Sequence, residues 1–69
     1  MRTKEQLKVE IQLLMQELAK SGMRLRMEKR INRQIELMHL RTELYKSITH
    51  RQGLIIEMMA NEAEYKEAA

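Results

Sequence analysis

The stretch LKVEIQLLMQEL, residues 7–18, decides the fold. Within it Leu7, Ile11, Leu14 and Leu18 recur at spacings of four, three and four, the stripe that one face of an α-helix presents to a core; Val9, Leu13 and Met15 widen that face. Thr3, followed three residues later by Gln6, is a capping-box pattern: the hydroxyl takes an orphan amide of the first turn and Gln6 reaches back. A first helix is therefore expected over about residues 3–21. Lys20 suits a helix C-terminus, and Gly22 can adopt the left-handed conformation that closes one.

A second helix is expected from about 24 to 52. Met27, Ile31, Ile35 and Met38 form one of its stripes, and Leu37, Leu40, Leu44 and Ile48 form a neighbouring one. Such a helix reaches roughly 40 Å at ~1.5 Å per residue, more than the first helix can cover. Gly53 punctuates the pattern, so Leu54, Ile55, Met58, Met59 and Tyr65 are read as a short third helix over about 54–66. Residues 10–21 (EIQLLMQELAKS) and 36–47 (ELMHLRTELYKS) agree at six of twelve positions, so the two long helices offer similar seams.

Composition supports an all-α chain. It has no Pro or Asp and only two Gly, with Leu, Glu, Lys, Arg, Met and Gln dominant, and nothing in that set opposes a helix. With 69 residues and no Cys, it forms one module that cannot be closed by a disulfide or a thiolate metal site. A chain this short encloses little core, so self-association is the expected remedy. The expected architecture is an antiparallel hairpin with a short third helix, dimerising into a four-helix-bundle-like assembly through Leu37, Leu40, Leu44 and Ile48. No apolar run approaches the ~20 residues that span a bilayer. Glu5 and Glu10 also interrupt what would be the core of a signal peptide, so a cytoplasmic protein without a membrane partner is expected.

Charge is polarised along the chain. Residues 20–51 carry nine basic side chains against three Glu, a local net of +6, whereas residues 57–69 carry a net of −3. Arg26, Arg30 and Arg33 stand at i, i+4 and i+7, with Arg24 and Lys29 nearby, a ridge that could grip phosphates. Two Tyr, without Phe or Trp, make no stacking platform for single strands.

Enzymatic chemistry finds little to work with. There is no Cys or Asp, and His39 and His50 are the only imidazoles, so no nucleophilic triad can be assembled. Glu36-x-x-His39 has the i, i+3 spacing of a carboxylate-histidine metal pair, but Leu37 and Leu40 claim the inward direction beside it, and the pair reads as a surface one. No cofactor and no metal are expected. Seven Met in so short a chain suit surfaces that repack against partners, and Leu54, Ile55, Met58 and Met59 form the candidate sticky face. The expectation is a non-enzymatic, self-associating helical protein that binds and regulates or scaffolds another protein. The alternative is a basic regulator binding RNA or DNA backbone through Arg24, Arg26, Lys29, Arg30 and Arg33.

Overall fold

The computed structural model describes residues 3–68, and their side chains as far as Ala63. Two helices fold back on each other: α1, Lys4–Met27, and α2, Ile31–Ala68, joined by Glu28, Lys29 and Arg30. The hairpin is a rod of 59 × 18 × 16 Å. Its long dimension is that of α2, since 38 residues rise about 57 Å at ~1.5 Å each.

The start of α1 follows the capping-box pattern. Gln6 N donates to Thr3 Oγ1 at 3.2 Å, and Thr3 N donates to Gln6 Oε1 at 2.9 Å. From there Leu7, Ile11, Leu14, Leu18, Ser21 and Leu25 turn inward, against Gln34, Leu37, Arg41, Leu44, Ile48, Arg51, Ile55 and Met58 of α2. Both series alternate steps of three and four, the 3.5-residue period with which two helices keep one seam in register while coiling about each other. Among the described residues Leu7 and Ile48 are the buried apolar side chains, and Ser21 is buried with them; the rest of the seam is half-buried, because two cylinders touch along a line and leave its edges open.

Two sequence expectations about the helices need correction. Ser21-Gly22 does not end α1, which runs on to Met27, so residues 24–27 belong to the first helix rather than the second. The pair serves instead as a socket. Arg41 Nη1 donates to the Leu18 carbonyl at 2.9 Å and to Ser21 Oγ at 3.3 Å, and it lies 2.7 Å from where a Cβ on residue 22 would stand. Gly53 does not divide α2 either. It sits on the exposed side of a continuous helix, without a positive φ and with open space around it, so no separate helix over 54–66 exists. Leu40, one of the residues expected at the interface between copies, is 46% exposed and stands outside the seam between the two helices. Leu40 and Arg41 both satisfy the spacing between Leu37 and Leu44. The socket at Ser21-Gly22 accepts a long side chain at 41, and this rotates Leu40 outward.

The reversal takes three residues and no glycine. The Glu28 carboxylate accepts from Arg30 N at 3.0 Å, and Gln34 Nε2 donates to the Glu28 carbonyl at 2.7 Å, so one residue satisfies donors from the turn and from the first turn of α2.

The two glycines should respond differently to Ala. Gly53→Ala removes a helix-interior glycine at an open position and should stabilise the chain by about 0.5–1 kcal/mol. Gly22→Ala removes the same backbone freedom but pushes Arg41 off Leu18 O, so its gain should be smaller or negative. Urea unfolding of both variants checks the order.

Candidate interaction surfaces

Two arginines within the seam fix how the helices pair. Arg51 Nε donates to Glu10 Oε1 at 3.1 Å, with the two side chains only 21% and 29% exposed, and Arg51 Nη1 donates to the Ser47 carbonyl at 3.0 Å. Arg41, held by Leu18 and Ser21, lies 6.0 Å from the ring centre of Tyr45. Half-buried cations without their partners are costly, so a slip of one helix past the other would strand both. At the open end, Lys4 pairs with Glu62 at 2.8 Å. That hydrogen bond raises the Lys4 ammonium above its ordinary pKa.

The turn end gathers the basic residues, though not as a ridge on one helix. Arg24 and Arg26 belong to the last turn of α1, Lys29 and Arg30 to the connection, and Arg33 to the first turn of α2. All five are exposed, giving with Glu28 a net of +4 around the reversal. Two are answered locally: Arg30 Nε reaches Glu28 at 3.2 Å and Arg33 Nη1 reaches Glu36 at 3.1 Å. A cleft of about 440 Å³ opens beside the turn, lined by Arg24, Met27, Glu28, Arg33, Glu36, Leu37 and Leu40, with as many acidic as basic groups.

Leu37, Leu44 and Ile48 lie in the seam within one chain, with Ile48 6% exposed, and only Leu40 of that set faces solvent. Leu54, Ile55 and Met58 are half-buried against the start of α1; Met59 alone of that group is exposed, at 56%. The free apolar surface is therefore elsewhere. On α1 it consists of Val9, Leu13 and Met15, then Met23 and Met27, the last pair 65% and 80% exposed. On α2 it consists of Leu40 together with Ile31, Ile35, Met38, Tyr45, Ile56 and Met59. The α2 set was partly visible in the sequence as Ile31, Ile35 and Met38; its continuation was masked by Thr42, Thr49 and Gln52, which read as polar.

Glu36 turns to Arg33 rather than to His39, and among the described residues no group of three His, Asp or Glu converges as a metal site. No described helix is long and apolar enough to cross a membrane. The chain matches no protein-family model, and neither the curated proteins nor the solved structures include a match to it.

Glu28 gives the turn a pH signature. The Arg30 backbone N–H, followed by the Arg30 guanidinium, holds its carboxyl below the ordinary carboxylate range. A depressed folded pKa contributes stability above the unfolded value and loses it as pH falls through the folded one. Glu28→Gln should therefore unfold at a lower temperature than wild type at neutral pH. The gap should narrow as pH falls through the ordinary carboxylate pKa of about 4.3 and close below it. Thermal scans across that range check it.

Proposed function

We propose that this chain is a non-enzymatic helical interaction module that self-associates and docks another protein through an apolar helix face, acting as a regulator or adaptor. The observation that carries this reading is the amount of apolar side chain left on the outside. Twelve large hydrophobic residues among those described are 46–80% exposed, on a hairpin whose fully buried apolar residues are Leu7 and Ile48. Single exposed apolar residues are ordinary, but contiguous faces of them mark surfaces that other proteins cover. Met23 and Met27, one helical turn apart on α1, offer adaptable thioethers to a partner helix.

A second reading is supported by the basic turn end, where Arg24, Arg26, Lys29, Arg30 and Arg33 would contact the phosphates of a nucleic acid. The pairing of Arg30 with Glu28 and of Arg33 with Glu36 counts against it, since those guanidinium groups already have anionic partners.

The readings separate on salt. With Arg26, Arg30 and Arg33 all changed to Gln, binding to a host partner should be nearly unchanged and should survive nuclease and a rise from about 0.1 to 0.5 M salt. Met23→Lys with Met27→Lys should abolish it. A ligand lost on nuclease treatment, with a salt slope that the triple variant reduces by about three, would establish the nucleic-acid reading instead.

A further inference from the structure

The outer side of α2 carries a second seam. Ile31, Ile35, Met38, Tyr45, Ile56 and Met59 are 48–71% exposed, and with Thr42, Thr49 and Gln52 between them they continue the same alternation of three and four that builds the inner seam, displaced by one residue. From Ile31 to Ala63 none of the positions on this stripe is charged, in a chain where 33% of residues are. A solvated face of such a chain would carry charges, so the stripe has the composition of a packed surface.

We propose that a second copy of this chain packs antiparallel along this stripe, with the two-fold axis passing near Tyr45. The proposal rests on the self-associating half of the reading above. Area supports it first. The chain exposes 6044 Å², whereas a compact monomer of 8.3 kDa exposes about 4,600 Å². The excess of about 1,400 Å² is more than the roughly 800 Å² that each partner covers in a stable complex.

The pattern of the stripe identifies the occupant. Bulky apolar residues stand at both ends, Ile31, Ile35 and Met38 at one and Ile56 and Met59 at the other, with Thr42, Tyr45 and Thr49 in the middle. Reversed end for end about Tyr45, Ile31 and Ile35 of one copy meet Met59 and Ile56 of the other, Thr42 meets Thr49 and Tyr45 meets its own counterpart, as an isologous two-fold interface requires. Charge selects the direction. Parallel packing would set two turn ends of net +4 side by side, whereas antiparallel packing places each beside the open end of the other copy, where Glu57 adds negative charge and Lys4 already answers Glu62.

The test uses the whole chain, which has no Cys of its own. Sedimentation equilibrium at micromolar concentration should give twice 8.3 kDa. Ile35→Lys or Ile56→Lys should give a helical monomer, while Leu13→Lys, at a residue 56% exposed on α1, should leave the dimer intact. Ile35→Cys and Ile56→Cys chains, mixed and treated with a short bismaleimide, should cross-link to each other far more than either does alone. A wild-type monomer, a dimer untouched by both lysine variants, or self-cross-linking of Ile35→Cys that equals the mixture each overturns the proposal. A monomer that still docks a host protein through Met23 and Met27 overturns this pairing while leaving the module reading in place; a dimer that docks nothing does the reverse.

Discussion

Two α-helices touch along one line, so a hairpin of 69 residues withdraws one stripe per helix from water and leaves the rest exposed. In this chain that line is a 3.5-residue seam from Leu7 to Leu25 on α1 and from Gln34 to Met58 on α2. What remains outside is set by that choice. Once Leu37, Leu44 and Ile48 face α1, the side of α2 one residue further round becomes the available surface, and its apolar side chains are what the proposed second copy would cover.

The seam is specified by its polar members as much as by its leucines. Arg41 in the Ser21-Gly22 socket and Arg51 against Glu10 each need one particular opposite number. Leu and Ile pack adequately in several registers, so the two arginines convert a greasy stripe into a defined pairing. Net stabilisation from such half-buried ions is modest. Their effect falls on the alternatives, which leave a guanidinium in the seam without acceptors.

Much of this was legible in the sequence and some was not, for physical reasons. The helical period and the Thr3–Gln6 capping box are local properties of the chain, and the structure follows both. The ends of the helices were misplaced because Gly was weighed as punctuation: Gly22 makes room for an arginine nineteen residues away in sequence, and Gly53 sits at an open position where it costs the helix only propensity. The reversal at Glu28-Lys29-Arg30 carries no turn residue of the usual kinds; it is held by hydrogen bonds from Arg30 and Gln34 that residue types alone do not announce. Leu40 and Arg41 both satisfy the spacing of the seam, and hydrophobicity alone does not announce that Arg41 is the one that faces α1. The basic residues read as a ridge on one helix face are distributed by folding over both helices and the turn.

The central claim is that the hairpin completes its burial with a second copy of itself. Thermal unfolding followed by circular dichroism over a hundredfold range of protein concentration addresses that claim most directly. If folding and association are coupled, the midpoint rises steadily with concentration. A midpoint that stays constant across the whole range would show a self-sufficient monomer and contradict the account.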